Sequence, residues 1–159
     1  EEKPRGFDGA RDSVTRVEFM DKLEAQPARG VIAHKLVFSL SQDERDRLGV
    51  SLRELVRETM KAWEEMLGRA LTWVGFQHED KGHPHVHVVV AGYAGEKQVG
   101  LYERDLNRLR GFADREKERQ AERNRAVPTR GAQERSAREE AARLMELTCP
   151  VRERESRGR

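Results

Sequence analysis

The sequence predicts an α+β fold, with a central antiparallel β-sheet, helices packed on it, and a charged helical tail. Three observations predict it. Two β-rich runs, 71–78 (LTWVGFQH) and 85–91 (HVHVVVA), are separated only by the polar turn 79–84. A parallel pair would need a crossover of a dozen residues or more, so these two strands form an antiparallel hairpin. Leu52, Leu55, Val56, Thr59, Met60, Trp63, Met66 and Leu67 recur at helical spacing, a stripe broad enough to cover a sheet. Helices and strands do not alternate in strict βαβ order, which speaks against a doubly wound parallel sheet.

The elements follow in order. Residues 1–12 are polar, with two glycines and a proline, and read as a loose arm. Ser13 is placed to cap a short helix whose apolar face is Val17, Met20 and Leu23. Pro27 and Gly30 end it. Residues 31–40 (VIAHKLVFSL) are β-branched and aromatic enough for a buried strand. Ser41 with Glu44, and Ser51 with Glu54, make two S-x-x-E capping boxes. The first opens a short helix closed by Gly49, the second the long striped helix closed by Gly68. The hairpin strands come next, then residues 92–100 as a turn with a short strand. Beyond Tyr102 the composition shifts to Arg, Glu, Asp and Lys. Leu106, Leu109, Phe112 and Ala113 form the apolar face of a helix that packs through its first turns and then runs into solvent. Residues 132–147 can form another charged helix, and the last dozen read as disordered.

Composition excludes several function classes. The 159 residues fit one domain. Net charge is only +2, from 31 basic against 29 acidic residues, so any nucleic-acid contact must come from local clustering. The single cysteine, Cys149, permits neither an internal disulfide nor a cysteine-pair metal motif. No apolar run approaches the ~20 residues that span a bilayer, and no signal peptide is visible. The chain reads as cytoplasmic.

The chemistry concentrates in Phe76-Gln-His-Glu-Asp-Lys-Gly-His-Pro-His-Val-His-Val-Val-Val90, which holds four of the five histidines. Alternate strand residues share a face, so His85 and His87 point the same way, about 7 Å apart at the backbone. The hairpin brings His78 alongside them. Val86, Val88 and Val90 fill the opposite, core face. Three neutral imidazoles with positions left open suit a catalytic metal site. The bland alternative is a solvated histidine-rich turn; for His83, beside Pro84, that alternative is favoured.

These residues resemble the metal motif of mobilisation relaxases, the HUH endonucleases that start plasmid transfer. His85 and His87 around Val86 match the HUH pair. His78 and Asp80 match the upstream H-x-D. The flanking His34-Lys-Leu-Val-Phe-Ser39 and Asp105-Leu-Asn-Arg-Leu-Arg110 resemble the neighbouring strand and helix of that family. The resemblance covers about residues 31–113. It implies a nuclease core there, preceded by an arm and short helix (1–30) and followed by a charged extension (114–159). It further implies that His78, His85 and His87 hold Mn²⁺ or Mg²⁺. Single-stranded DNA at a transfer origin would be nicked through a covalent protein–DNA link, with accessory relaxosome proteins as further partners. Imidazole donors favour Mn²⁺. Asp80 would orient a ligand imidazole or help activate the nucleophile.

The chain departs from the family in its tyrosines. Relaxases carry the nucleophilic tyrosine upstream of the sheet, whereas here the first tyrosine is Tyr93. Three readings stand: a tyrosine on a segment ahead of Glu1, attack by Tyr102 before the charged helix, or a histidine nucleophile, His34. Lys81, Arg104, Arg108 and Arg110 are the candidate phosphate contacts. The rival functions are a rolling-circle replication initiator or single-strand transposase of the same class, a DNA-binding domain without its nucleophile, and a metal-storage or sensor hairpin.

Overall fold

A computed structural model describes residues 5–79, 82–126 and 140. The chain divides into two units, Glu1–Asn124 and Arg125–Arg159. Helix α1 is Arg16–Glu24, β1 Ala33–Ser39, α2 Gln42–Leu48 and α3 Leu52–Leu67. Strand β2 is Trp73–His78, β3 His85–Ala91, β4 Tyr93–Ala94 and β5 Lys97–Gln98, and α4 is Glu103–Ala126. The fold is α+β with an antiparallel sheet, as expected. Its order is β1-β3-β2, which makes β3 the central strand.

One face of the sheet is closed. Val86, Val88 and Val90 of β3 are fully buried, with Leu36 and Trp73 beside them. Helix α3 lays its stripe over them: Leu52, Leu55, Val56, Thr59, Met60 and Trp63 are all buried. Leu109 of α4 joins the same core, with Leu106, Phe112 and Ala113 packed on it. Each large side chain fully buried there contributes about 1.5–3 kcal/mol of hydrophobic stabilisation.

Five local expectations are corrected. Among the described residues of the N-terminal arm, 5–12 are tied to the domain rather than loose. Phe7 is 1% exposed and bridges Gly75 of β2, while Gly6 bridges Val14. Gly75 permits this approach, since a Cβ there would meet Phe7 Cζ at 2.7 Å. Arg57 of α3 donates to the carbonyls of Asp8 (2.8 Å) and Arg11 (3.0 Å) and to the Asp12 carboxylate (2.7 Å). Helix α1 is capped by Thr15 rather than Ser13, in a reciprocal box with Glu18. Its packed face is Phe19 and Leu23, while Val17 and Met20 are exposed. Phe19 and Leu23 are four residues apart, and the larger side chain sets the phase.

Ser41 and Ser51 cap α2 and α3, but Glu44 and Glu54 reach across to Lys117 and Arg123 of α4. Helix α4 accordingly does not leave the domain after its first turns. Gln120 is 1% exposed, accepting from Ser51 N–H (2.8 Å) and donating to Glu116 (3.0 Å). Asn124 donates to the carbonyls of Leu48 and Gly49. The expectations for residues 132–147 and the last dozen lie outside the described residues, apart from Glu140, which is helical.

Candidate metal centre

Among the described residues, the second face of the sheet stays largely open. It carries Lys35, Val37 and Ser39 of β1, His85, His87 and Val89 of β3, and Val74, Phe76 and His78 of β2. Helix α1 covers one end of it, packing Phe19 and Leu23 on Val74, Phe76 and Val89. Lys35, Val37, Ser39 and His78 are exposed, and His85 and His87 are half-buried.

Register aligns the histidines. His85 lies directly across from His78 on β2 and from Ser39 on β1. His87 lies across from Phe76 and Val37. Directly opposed residues share a face and bring their Cβ atoms to ~4.5–5.5 Å. The ring centroids are 5.2 Å apart for His78–His85 and for His78–His87, and 4.9 Å apart for His85–His87.

A ligating imidazole nitrogen sits ~2.0–2.1 Å from a transition metal, so two ligands at tetrahedral or right angles have ring centres roughly 4.6–5.3 Å apart. All three spacings fall in that interval. The donor set also fits, being nitrogen-only and suited to a borderline divalent ion. The ring orientations are not yet those of a ligated site. His78 and His85 are stacked within 15° of parallel, and two offset parallel planes cannot both contain one ion. Among the described residues, no group of three or more His, Cys, Asp or Glu side chains is arranged to hold an ion as it stands. Ligation needs at least one of the two imidazoles to turn out of that stack.

The surroundings hold the hairpin in register. His85 Nδ1 lies 3.0 Å from the His83 carbonyl. With its proton on Nδ1, that bond leaves Nε2 as the ligating atom. The start of α2 is tied to the turn through Leu40 N–H to the Pro84 carbonyl (3.3 Å) and Gln42 N–H to the Gly82 carbonyl (3.2 Å). Gly82 adopts φ 87°, which favours glycine. Arg45 of α2 pairs with Glu79, and Gln77 donates to the same carboxylate. The Arg45 hydrogen bond, against a smaller opposing effect of burial, holds the Glu79 carboxyl below its ordinary value.

Of the residues expected at the site, the three histidines come together. Asp80 and Lys81 lie outside the described residues. Tyr102 does not join the histidines. It precedes α4, which packs on the closed face. Three residues before it, Val99 bonds to Gly92, just past the end of β3 opposite His85. Tyr102 is 62% exposed, with Arg104 over its ring at 5.3 Å. Its backbone N–H donates to Asp105, a buried carboxylate that closes the first turn of α4. Arg108 donates to the Met66 sulfur and Arg110 to Asn107.

Tyr93 is buried, its hydroxyl donating to the Arg29 carbonyl at 2.6 Å. His34 bonds the Val99 carbonyl through Nε2 at 2.7 Å on the closed-face side. Sequence reasoning missed Ser39. Its one available signal was strand parity, and that could be used only once the pairing of β1 with β3 was known.

A family model described as Relaxase: MobA/VirD2-like, nuclease domain, matches residues 7–122. No curated protein and no solved structure matches the chain.

Proposed function

The chain belongs to the MobA/VirD2-like relaxases, whose nuclease-domain model spans 7–122 of its 159 residues, and we propose that it nicks and transfers single-stranded DNA at a transfer origin. The observation that carries this reading is the set of three imidazoles on the open sheet face, with centroids 4.9–5.2 Å apart. His78, His85 and His87 would hold a divalent ion, Mn²⁺ more tightly than Mg²⁺. Bound there, the ion supplies Lewis-acid polarisation of the scissile phosphate.

The chain's own residues do the rest. The half-open face admits an unpaired strand and would exclude a duplex wherever α1 stands over it. Ser39, across from His85, offers a hydroxyl to a phosphate oxygen. Asp80, following the His78 strand, orients a ligand imidazole or helps to activate the nucleophile. In the transfer step a side-chain oxygen bonds to phosphorus and the P–O3′ bond breaks. The products are a protein-linked 5′-phosphate and a free 3′-hydroxyl. Among the described residues, no helix is long and apolar enough to cross a membrane. The proposed setting is the cytoplasm, with accessory origin-binding proteins as partners.

A second reading is favoured by the tyrosines. Tyr93 is committed to Arg29, and Tyr102 stands away from the histidines. On this reading the domain binds metal and DNA but contributes no nucleophile of its own.

One experiment tests both. A labelled single-stranded oligonucleotide pool is incubated with the chain and Mn²⁺, with a chelator arm and the His85→Ala/His87→Ala double variant. Covalent adducts are resolved on a denaturing gel and mapped by mass spectrometry. Adduct that disappears with chelator and in the variant supports the nuclease, and its position, Tyr102 or another side chain, identifies the attacking group. Metal and DNA binding without adduct supports the second reading. Adduct undiminished in the double variant overturns the role of the histidines.

A further inference from the structure

Strand β1 is an edge of the sheet, and between that edge and α4 runs a groove of about 500 Å³. This is within the ~300–1,000 Å³ span of small-ligand pockets. Its floor is apolar, made by Phe38, Leu55, Leu106 and Leu109. One wall is the open backbone of β1, whose outward N–H and C=O groups have no neighbouring strand among the described residues.

The rim is charged. Lys35 stands on the β1 side, and Arg110 and Lys117 on the α4 side. Seven residues apart on one helix, the last two face the same way about 10.5 Å from each other. Two acids, Glu44 and Asp114, also line the groove, and both pair with Lys117, at 2.8 and 3.6 Å. That leaves Lys35, which is exposed, and Arg110, whose bond is to the neutral Asn107 amide. Among the described residues neither forms an ion pair, so the groove keeps a net positive rim.

The groove also joins the histidine face. Val37 and Ser39 line it, and the same two residues lie across from His87 and His85. A strand seated on the histidines therefore has a continuous path over the one-strand-wide edge of β1 and into the groove.

We propose that the β1–α4 groove is a nucleotide subsite that holds bases of the single strand flanking the scissile phosphate. A base stacks on Phe38 and packs on Leu106 and Leu109. Its polar edge meets the open backbone of β1, and its flanking phosphates meet Lys35 and Arg110. An apolar floor with a cationic rim and an unpaired strand edge offers something to each part of a nucleotide. A peptide strand added to β1 would use the edge and the floor but not the rim charge. The proposal rests on the nicking reading only for which strand enters.

The test measures oligonucleotide affinity by fluorescence anisotropy, alongside the nicking assay. Ala113→Phe fills the groove without touching its charge, and Arg110→Glu reverses the rim while leaving the floor. Each is expected to weaken binding of the single-stranded pool about tenfold. Arg110→Glu should also lower the salt slope by about one. Thermal melts report folding of both. Should Ala113→Phe fail to fold, Arg110→Glu, a surface change, decides.

Photo-crosslinking with thio-substituted oligonucleotides should label β1 and α4 peptides. Affinity unchanged in the folded variants, or labelling confined to other elements, overturns the proposal. So does a dimer in sedimentation that Ala113→Phe dissolves, which would make a second copy the occupant. If the wild type does not nick but both variants still lose affinity, the nicking reading fails and the groove stands. If both variants bind and nick normally, the groove fails and the nicking reading stands.

Discussion

On the closed face of the sheet, Val86, Val88 and Val90 are fully buried beneath Trp63 and Met60. On the other face of the same strand, His85, His87 and Val89 are only half-buried. Three strands thus present a sealed core and an exposed donor set one side-chain alternation apart. The difference teaches how a small domain can free one sheet face for the metal site proposed above. Period-two alternation assigns stability to one face and leaves the other for the proposed chemistry, so neither needs the other's residues.

The sharpest way to break that comparison is to truncate one side chain on each face. Trp63→Ala empties a fully buried site and is expected to cost about 3–5 kcal/mol. His87→Ala, measured with chelator present, should change stability by about 1 kcal/mol or less. With metal and DNA the order inverts. His87→Ala should lose more activity than the ~10–100-fold that removing a ligand's outer partner costs. Urea midpoints and nicking rates measure the two. If His87→Ala destabilised the apoprotein as much as Trp63→Ala, the two faces would not be separate.

The closed face also has an edge, and the N-terminal segment seals it. Phe7 lies on Gly75 and meets Trp73 edge-on at 6.0 Å, with Arg53 and Arg57 above its ring. Gly75→Val would drive a side chain into Phe7 and lift the segment. A loss of about 1–3 kcal/mol is expected, with faster proteolysis at Arg11. Among the described residues the open face has no such cover over its histidine end, so the variant should leave the proposed metal binding near wild type. Unchanged proteolysis would mean that the seal tolerates a side chain at Gly75.

What the sequence disclosed follows the same division. The stripe on α3 and the alternation in 85–91 were legible because helix and strand each stamp a period on apolar residues, and the histidines stood out against valines. The seal by Phe7 was not legible. It depends on a lone aromatic in a polar stretch meeting a glycine nearly seventy residues away. The phase of α1 was misjudged because Val17 and Met20 offered an apolar spacing that the Phe19–Leu23 pair outweighed. Half of α4 was hidden for a different reason. Its later turns pack through Glu116, Gln120 and Asn124, and hydrogen-bonded polar packing leaves no hydrophobic pattern to read. Ser39 needed the strand register, which is a tertiary fact.

That polar packing can be tested against the apolar packing at the start of the same helix. Gln120→Ala removes the acceptor for Ser51 N–H at a position 1% exposed. An unsatisfied buried donor costs about 1–3 kcal/mol. Gln120→Leu restores volume but not the acceptor, so it should recover only part of that loss in urea titrations. Full recovery by leucine would show that shape, not hydrogen bonding, holds the second half of α4.

The smallest expected effect concerns the turn that anchors the seal. Burial pushes the Asp8 carboxyl up, but the N–H groups of Ala10 and Arg11 and the Arg11 guanidinium together overcome it, leaving the group below its ordinary 3.8. A carboxylate with a depressed folded-state pKa contributes stability above its unfolded pKa. That contribution fades as pH falls through the lower folded value. Asp8→Asn should therefore cost about 0.5–1.5 kcal/mol near neutrality, and the gap to wild type should close below pH 3.8. Because Asp8 belongs to the closed-face seal, its loss should shift the acid unfolding profile without altering metal affinity at neutral pH. A gap that stayed constant down to the acid limit would mean the ionised form of Asp8 adds nothing. The seal would then rest on Phe7 and the Arg57 contacts to backbone carbonyls, which do not titrate in that range.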